Sequence, residues 1–456
     1  MVGLFWVGTH SLQAQDGWPT RLQDYLTIEN QRIGFNGVCL VAKGGEVLYH
    51  KAFGTASFEY KIPMNTDHRF KIASISKSFT GLLMGLAIEE GKLKPDDTIG
   101  KYLPEFNKGY WTDVSLQHLL THTSGLPHHE AIPDYWRVKS KLAQAESAIL
   151  NDIKGLPFLF PPGTDVKYSS PAYYLLAKVL EKAYGKDYPA LLQEKITQPL
   201  GLMGTGIYDP HQVIPHMATG YHLLTEDSLI VAPYRDFSPL EGAGSLYSNS
   251  TDLLKFNQSL LMAEPWSTSL LTDVLTPQSD HYMKKRPYAQ YGYGWYSREA
   301  KGKHPRAVFH GGGTFGCSAL SAIYPSEGLS IILLSNISTL PIDAIWQNVE
   351  TLVLGLPFEM PTLVESIAID EQQLQAYIGH FRSVPGQQDL AVFTQGNKLF
   401  AQLKGRPPFQ LHPTGTHEFL GKKVDISFTF LADEKDQITK IEASGRGRAF
   451  SFQKID

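Results

Sequence analysis

Residues 70–80 read Phe-Lys-Ile-Ala-Ser-Ile-Ser-Lys-Ser-Phe-Thr, and this stretch decides how the rest of the chain is interpreted. Apolar residues recur from here with helical spacing, at Phe79, Leu82, Leu83, Leu86 and Ala87. Gly91 is a natural helix end. The pattern predicts a helix that begins at Ser74.

Ser74 and Lys77 form a candidate chemical centre on this helix. A backbone N–H in the first turn has no partner within the helix, so the N–H of Ser74 can hold an oxyanion. Lys77 lies one turn later on the same face. Partial desolvation near the helix start lowers the pKa of such a lysine, and its neutral amine can then accept the serine proton. An N-cap serine beside a surface lysine is the structural alternative.

Tyr168 is a second candidate, because it follows a turn at 161–164 and precedes a helix predicted over 171–184. A tyrosine beside a lysine can act as a phenolate, or as a relay that passes protons between nucleophile, water and leaving group. A core tyrosine before a helix is the plain alternative.

The third candidate is the run His310, Gly311, Gly312 and Gly313, which we expect at the end of a strand. Glycines there let a substrate backbone approach closely, and an N–H in the run can be the second oxyanion donor. A glycine-rich hairpin turn is the alternative. The run lacks the Lys-Ser/Thr of a phosphate loop.

Strand-like segments lie on both sides of a helical middle part. A helix predicted over 19–34 is followed by a β-hairpin around the turn at Gly44 and Gly45. Residues 92–235 are predicted to be mostly helical and rich in loops. Strand-like runs return at 291–296, 306–310, 317–324 and 329–335, before a helix at about 342–354. This order predicts an α+β domain whose antiparallel sheet is built from both ends, with a helical insert.

The pattern changes at residues 357–361. Short β runs then alternate with turn residues, at 390–394, 398–403, 409–411, 426–431 and 449–452. Such spacing predicts a small antiparallel sandwich or barrel. We therefore divide the chain into a signal-peptide remnant at 1–18, a main domain at 19–356 and a β-domain at 362–456.

Taken in order, these motifs resemble the penicillin-recognising serine hydrolases related to class C β-lactamases. The resemblance rests on residues 70–80, on 118–127 (His-Leu-Leu-Thr-His-Thr-Ser-Gly-Leu-Pro) and on shorter matches at 162–164, 242–246 and 292–295. It covers roughly residues 30–355 and implies a β-lactamase/transpeptidase-like fold. Residues 377–381 and 397–399 resemble a lipocalin-like β-domain, which in this family can border or cover the active site.

The resemblance also implies a role for each candidate. Ser74 matches the acylated nucleophile, Lys77 its proton acceptor and Tyr168 the catalytic tyrosine. The backbone N–H groups of Ser74 and Gly313 match the oxyanion hole. The substrate-binding positions are Ser170, His310, Gly311 and Gly312.

Two residues depart from the usual pattern of the family. Ser170 stands where asparagine is usual, which puts recognition of a substrate amide in doubt. His310 stands where many relatives carry the lysine of Lys-Thr-Gly, and histidine is mostly neutral at pH 7. Since that lysine helps to bind the carboxylate of penicillins, its loss argues against an efficient β-lactamase.

We therefore predict a serine hydrolase that forms an acyl-enzyme on Ser74 and cleaves small esters or D-amino-acid amides and peptides. One alternative is a penicillin-binding DD-peptidase or a weak class C-like β-lactamase. An alternative of another class is a catalytically silent binding or scaffold protein that keeps the fold.

No cofactor or metal is implied, since acyl transfer of this kind needs only side chains and backbone dipoles. His118 and His122 have i,i+4 spacing but no evident third ligand. The run His128, His129 and Glu130 is interpreted as a loop.

Composition points to a packed protein with a small-molecule ester or peptide substrate. The 456 residues are 42% hydrophobic and 19% charged, and the net charge of −4 does not favour nucleic acid as a partner. We interpret Lys284, Lys285 and Arg286 as a solvated loop, and Cys39 and Cys317 as buried strand residues that a single bridge could still join. Composition does not determine the oligomeric state.

The N-terminus indicates export. Residues 1–8 are apolar and 11–16 could hold a cleavage site, as in a secretory signal peptide without its basic region. We predict a periplasmic or secreted protein; a cytoplasmic protein with a buried N-terminal segment is the alternative. No later stretch reaches about 18 apolar residues, so no transmembrane helix is predicted.

Overall fold

The computed structural model describes residues 17–225, 228–284, 286–363, 365–384, 388–405, 408–422, 426–445 and 448–455. The predicted signal-peptide remnant at 1–18 therefore lies outside the described residues, except for its last two. Within the described part, no helix has both the length and the apolar character needed to cross a bilayer.

The helices of the described chain include one that begins just after the 70–75 segment and one that begins at Ser170. In chain order they are α1 (Trp18–Ile33), α2 (Ser76–Glu89), α3 (Leu116–Leu120), α4 (Glu146–Lys154), α5 (Ser170–Tyr184), α6 (Tyr188–Leu192), α7 (Ser250–Met262), α8 (Thr268–Leu275), α9 (Ile342–Val353) and α10 (Glu371–Leu374). The side chain of Ser169 caps α5 by accepting from the backbone N–H of Ala172, and Gly185 ends this helix at φ 65°.

The strands fall into a group that precedes residue 340 and a group that follows it. In chain order they are β1 (Gly37–Lys43), β2 (Glu46–Phe53), β3 (Thr55–Ser57), β4 (Ile62–Pro63), β5 (Phe70–Lys71), β6 (Gly206–Ile207), β7 (Tyr221–Thr225), β8 (Ser228–Val231), β9 (Leu246–Ser248), β10 (Gln290–Tyr291), β11 (Tyr296–Arg298), β12 (Ala307–Thr314), β13 (Cys317–Tyr324), β14 (Leu329–Ser335), β15 (Ile337–Ser338), β16 (Gly379–Ser383), β17 (Asp389–Gln395), β18 (Lys398–Leu403), β19 (Phe409–Gly415), β20 (Glu418–Gly421), β21 (Ile426–Ala432), β22 (Ile438–Gly445) and β23 (Arg448–Lys454).

The main sheet has seven strands in the order β10-β11-β12-β13-β14-β1-β2, all antiparallel. Early and late strands meet where β1 pairs with β14, with Gly37 opposite Ser335. Every residue of β13 and β14 is buried, so both faces of the sheet are covered there. Helices α7 and α9 both pack on these two strands. The predicted α+β domain with a sheet built from both ends is confirmed.

The middle part of the chain packs mainly as helices against α2. Helix α2 contacts α5 and α8, and α3 contacts α5. The sequence predicted helices and loops over 92–235, but three short strands occur there, β6, β7 and β8. They escape detection because each has only two to five residues, and because β6 and β7 pair with β9 and β15, which are distant in sequence.

The C-terminal strands β16–β23 form a closed antiparallel barrel in which each strand pairs with the next and β23 returns to β16. Eight strands enclose an interior that side chains just fill. That interior holds a cluster of buried apolar side chains, among them Phe381, Phe428, Phe430, Ile441 and Phe452. Of the sandwich and barrel alternatives, the barrel is confirmed; a lipocalin-like relationship stays a prediction.

The two cysteines are buried and unbonded. Cys39 lies on β1 and Cys317 on β13. Burial raises the pKa of both thiols above the usual range. The prediction of two small buried strand residues is confirmed, and no bridge joins them.

Candidate active site

Ser74 lies in a 3-10 turn, Ala73–Ile75, that immediately precedes α2. Ala73 has φ 45°, a left-handed conformation that costs a non-glycine residue roughly 1–3 kcal/mol. Surrounding hydrogen bonds hold the turn: Ser76 Oγ donates to the Ala73 carbonyl at 2.6 Å, and the Leu246 N–H donates to Ser76 Oγ at 3.0 Å. The helix was predicted to begin at Ser74; it begins two residues later because this turn intervenes.

Lys77 is fully buried and lies beside Ser74. Its Nζ is 3.2 Å from Ser74 Oγ, 3.2 Å from Ser170 Oγ and 2.6 Å from the carbonyl oxygen of Ala243. Burial holds the pKa of the Lys77 ammonium well below its usual range. The alternative of an N-cap serine beside a surface lysine is therefore wrong.

Tyr168 lies on the other side of the same lysine. Lys77 Nζ is 4.9 Å from the centre of the Tyr168 ring. The buried Tyr168 hydroxyl has no hydrogen bond of ordinary geometry to another described residue. Burial, reinforced by Tyr296, raises the pKa of Tyr168 well above its usual range, and the nearby Ser74 hydroxyl only partly opposes this. The phenol therefore stays protonated at neutral pH, which favours the relay over the phenolate.

The glycine run lies within a strand. Strand β12 runs from Ala307 to Thr314 and includes all three glycines, so the hairpin-turn alternative is wrong. A Cβ at Gly312 would lie 2.1 Å from the carbonyl oxygen of Ile72, whereas a Cβ at Gly313 would meet no atom within 4 Å. Gly312 therefore lets β12 approach the turn that carries Ser74, and Gly313 borders open space.

His310 is buried and lines the larger of the two cavities at the site. Its Nδ1 is 2.7 Å from the Gly311 carbonyl oxygen, which can only accept, so Nδ1 carries the proton. Its Nε2 is 2.8 Å from Tyr291 Oη and accepts from that hydroxyl. Burial and the charge of Lys77 hold the pKa of His310 well below its usual range. Both nitrogens are thus engaged by the protein, and the ring is neutral.

Ser170 opens α5 and connects Lys77 to a histidine that the sequence analysis set aside. Ser170 Oγ is 3.2 Å from Lys77 Nζ and 3.2 Å from His128 Nε2. His128 Nδ1 is 2.6 Å from the Glu130 carboxylate. Sequence reasoning missed His128 and Glu130, because 42 residues separate His128 from Ser170 and no local pattern joins them.

Arg286 is a second residue that the sequence analysis missed. The solvated-loop interpretation is wrong for it: its side chain is only 20% exposed and donates to the Asp343 carboxylate at 2.6 Å. Its guanidinium lies over the ring of Tyr296, 4.7 Å from the ring centre. Its Nη2 is 3.4 Å from the place that a Cβ at Gly311 would occupy. A permanent cation therefore borders the glycine strand where His310 is neutral.

Two cavities meet at Ser74. The larger has a volume of about 1020 Å³ and is lined by Tyr168, Arg286 and the glycine strand, among others. The smaller, about 340 Å³, lies on the side of Trp136 and Phe315. Ser74, His128, Glu130 and Gly313 line both. Among the described residues, those that line the two cavities belong to 73–344, so the barrel contributes none of them.

The histidine pairs considered as metal ligands have other partners. His118 caps α3, with its Nδ1 accepting from the Ser115 N–H, and His122 Nδ1 accepts from the Ser169 N–H. The ligand atoms of His128, His129 and Glu130 lie within 4.8 Å of one another. Both ring nitrogens of His128, however, are occupied by Glu130 and Ser170, which favours a hydrogen-bonded chain over a metal site.

A serine and a buried lysine at a helix start, facing a glycine-rich strand across a cavity, define the class of β-lactamase/transpeptidase-like domains. Residues 27–348 match the sequence profile of the family described as Beta-lactamase. The chain belongs to that family, and it is an enzyme of the family.

Individual relatives agree with this assignment. The chain is 29% identical over 437 residues to penicillin-binding protein 4* of Bacillus subtilis (strain 168), covering 91% of this chain and 94% of that protein. It is 28% identical over 303 residues to a teichoic acid D-alanine hydrolase of Staphylococcus aureus (strain NCTC 8325 / PS 47), covering 66% and 70%.

A solved structure shares the fold over nearly the whole chain. The octameric penicillin-binding protein homologue from Pyrococcus abyssi matches with a TM-score of 0.68 at 22% identity, covering 95% of this chain and 99% of that one. The α+β domain and the C-terminal barrel therefore occur together in a known architecture.

Proposed function

We propose that the chain is a serine hydrolase that forms an acyl-enzyme on Ser74 and cleaves small esters or D-amino-acid amides and peptides. One observation carries the proposal: the fully buried Lys77 Nζ lies 3.2 Å from Ser74 Oγ. Desolvation favours the neutral amine, which is the form that can accept the serine proton.

The contacts of Lys77 suit a neutral amine. Such an amine has two N–H groups and one lone pair. The N–H groups can donate to the Ala243 carbonyl at 2.6 Å and to Ser170 Oγ at 3.2 Å, which leaves the lone pair for Ser74. As Ser74 Oγ attacks the carbonyl carbon, its proton moves to Lys77. The backbone N–H groups of Ser74 and Gly313 then receive the oxyanion.

Tyr168 supplies the proton that the leaving group needs. Its hydroxyl is protonated and without an ordinary hydrogen bond to another described residue, so it can donate to the departing oxygen or nitrogen and be reprotonated from Lys77. In deacylation the steps reverse: water gives its proton to Lys77 and its oxygen to the acyl carbon, and Ser74 Oγ leaves with the proton that Lys77 returns to it.

The cavity accommodates more than an acetyl group, since its volume is about 1020 Å³. The carboxylate of Glu130, whose side chain is 55% exposed, lines it, and such a group can receive the ammonium of a D-amino acid. The relative named for D-alanine hydrolysis directs the choice of substrates toward D-alanyl esters.

Arg286 favours a second candidate, a carboxylate-bearing substrate such as a D-alanyl-D-alanine peptide or a penicillin. Histidine in place of lysine at position 310 removes one cation that could bind the carboxylate of a β-lactam. Arg286, which also pairs with Asp343, provides another cation beside Gly311.

A substrate panel tests the proposal. The panel compares p-nitrophenyl acetate, D-alanine methyl ester, D-alanine p-nitroanilide, their L counterparts and a chromogenic cephalosporin, with wild type and Ser74→Ala. We expect hydrolysis of the esters or D-amides and a loss of at least about 10³-fold in Ser74→Ala. Equal rates in the two proteins would support a catalytically silent scaffold instead.

Export is part of this proposal, because residues 1–8 are apolar and precede a cleavage-like segment. Expression in a Gram-negative host and mass analysis of the mature N-terminus tests it. A chain that is cut between residues 11 and 18 and recovered from the periplasm supports export, and an uncut chain in the cytoplasm contradicts it.

A further inference from the structure

A continuous series of contacts leads from Lys77 to the cavity surface. Ser170 Oγ lies 3.2 Å from Lys77 Nζ and 3.2 Å from His128 Nε2. His128 Nδ1 lies 2.6 Å from Glu130 Oε2. Exposure rises along the series: Lys77 is fully buried, the His128 side chain is 22% exposed and that of Glu130 55%.

The hydrogen bonds of this series run in one direction. A carboxylate only accepts, so the 2.6 Å contact with Glu130 requires a proton on His128 Nδ1. The backbone nitrogen of His129 also lies 2.9 Å from His128 Nδ1. Without a proton on Nδ1, however, the lone pairs of Nδ1 and of the Glu130 carboxylate would repel each other at 2.6 Å, so Nδ1 keeps its proton. In the neutral ring Nε2 then accepts from the Ser170 hydroxyl, whose oxygen accepts from Lys77.

The identity of residue 170 makes this series capable of moving a proton. A hydroxyl can receive a proton on its oxygen while giving up its own. An asparagine, which the resemblance led us to expect at this position, holds a lysine but has no hydroxyl proton to pass on. Because residue 170 is serine rather than asparagine, a chain of hydrogen bonds joins Lys77 to the ionisable pair His128 and Glu130.

We propose that Ser170, His128 and Glu130 form a proton relay that accepts the proton which Lys77 removes from Ser74, with His128 acting on the reaction through Lys77. The inference rests on the proposed function of Ser74 and Lys77. When Lys77 gains the Ser74 proton, it gives one to Ser170 Oγ, and Ser170 gives its own to His128 Nε2. His128 becomes an imidazolium beside the Glu130 carboxylate, and Lys77 is neutral again. The reverse transfer returns the proton to Lys77 when the leaving group departs.

The surroundings of His128 favour such an imidazolium through Glu130. The titratable groups near it include Glu130 and His129 on its own segment, and Tyr168, Lys77 and His122 on neighbouring elements. Tyr168 stacks on His128 with ring centres 5.6 Å apart. Among these five groups Glu130 is the anion, and its hydrogen bond from His128 holds the pKa of Glu130 well below its usual range.

The relay predicts a pH-dependent difference between wild type and His128→Gln. Glutamine keeps a hydrogen-bonding group but cannot take up a proton. We expect the rate of acylation by p-nitrophenyl acetate to fall about 10- to 100-fold at pH 8 with little change in KM. Once His128 is protonated in wild type it cannot accept, so the ratio of the two rates should fall toward one as the pH is lowered.

Matched variants separate the relay from a structural role. Ser170→Ala should reproduce the loss and Ser170→Thr should restore at least part of the rate, because threonine keeps the hydroxyl. His211→Gln makes the same substitution on an exposed histidine outside the site. If His128→Gln fails to fold, as judged by thermal unfolding, the Ser170→Ala and Ser170→Thr pair decides the question.

Each outcome has a defined meaning. A pH-dependent loss in His128→Gln with recovery in Ser170→Thr supports the relay. Three results would overturn it. They are equal acylation rates in wild type and His128→Gln, a ratio of these rates that does not change with pH, and equal acylation rates in the two Ser170 variants. Absence of a wild-type acyl adduct on Ser74 overturns the proposed function itself, which is a different result from an adduct that forms equally fast in all variants.

Discussion

A Cβ atom at Gly312 would lie 2.1 Å from the carbonyl oxygen of Ile72. Ile72 immediately precedes the turn that carries Ser74, so this contact sets how closely strand β12 approaches the nucleophile turn. The neighbouring Gly313 has open space at the same position. Packing therefore requires glycine at position 312 but not at position 313.

The first prediction compares Gly312→Ala with Gly313→Ala. In Gly312→Ala the strand or the turn must move, and overpacking of this kind costs about 1–3 kcal/mol. We expect a lower melting temperature and slower labelling of Ser74 by a fluorophosphonate. Gly313→Ala should melt within the error of wild type, as followed by circular dichroism. Equal melting temperatures for the two variants would contradict the proposed contact.

The second prediction concerns the charge on Lys77. Arginine at this position stays protonated in proteins and cannot accept the Ser74 proton. Lys77→Arg should therefore lower kcat/KM for p-nitrophenyl acetate by about 10²–10⁴-fold. Retention of more than a tenth of the wild-type value would show that Lys77 is not the base.

The third prediction is the pH dependence of the wild-type enzyme. Burial lowers the pKa of Lys77, so its neutral, accepting form is present above that lowered pKa. Activity should already be high well below the pH at which ordinary lysine titrates, and it should fall as the pH is lowered through the pKa of Lys77, with circular dichroism used to exclude unfolding. A rise in kcat/KM only near pH 10, where ordinary lysine titrates at about 10.4, would contradict the account.

The fourth prediction tests the role of Tyr168 by comparing two substrates whose leaving groups differ in their need for a proton. A p-nitrophenolate can depart without a proton, whereas an amide nitrogen cannot. Tyr168→Phe should thus lower kcat for a D-alanine anilide by about 10²-fold or more, and for p-nitrophenyl acetate by less than about 10-fold. Equal losses on both substrates would indicate that Tyr168 acts on the nucleophile rather than on the leaving group.

The fifth prediction concerns Arg286 and the charge of the substrate. A hydrogen bond to a charged group contributes about 1.5–3 kcal/mol, which corresponds to roughly 10- to 100-fold in affinity. Arg286→Gln should raise KM by that factor for an ester that carries a carboxylate and leave a neutral ester within about threefold. Arg137→Gln is the control, since the Arg137 side chain is 78% exposed. An unchanged KM for the anionic ester would remove Arg286 from substrate recognition.

Sequence alone predicted the part of the site that local spacing defines. Ser74 and Lys77 lie three residues apart at a helix start, so periodicity places them together. The association of Tyr168 with this pair was implied by the resemblance. In the structure Ser74 Oγ lies 3.2 Å from Lys77 Nζ, and the centre of the Tyr168 ring lies 4.9 Å from the same nitrogen. The roles of these residues stay predictions until the variants are measured.

Arg286 and His128 could not be predicted because their surroundings come from distant parts of the chain. Arg286 stands next to Lys284 and Lys285 in sequence, which is typical of a solvated loop, yet its partner Asp343 is 57 residues away. His128 meets Ser170 across 42 residues. No local sequence pattern predicts contacts between residues so far apart in the chain.

The barrel illustrates the same limit for the fold. Strands β16, β20 and β22 were missing from the sequence prediction because each has at most two large apolar residues among glycine, polar and charged ones. Closure of the barrel pairs β16 with β23, about 70 residues apart. Pairing at this distance defines the barrel, and no local sequence pattern predicts it.

The central claim is that Ser74, and not the neighbouring Ser76 or Ser78, is the acylated residue. Incubation with a fluorophosphonate followed by intact-mass analysis and peptide mapping tests this claim most directly. We expect one adduct per chain, on Ser74, in wild type and none in Ser74→Ala. An adduct on another residue, or an equal adduct in Ser74→Ala, would contradict it.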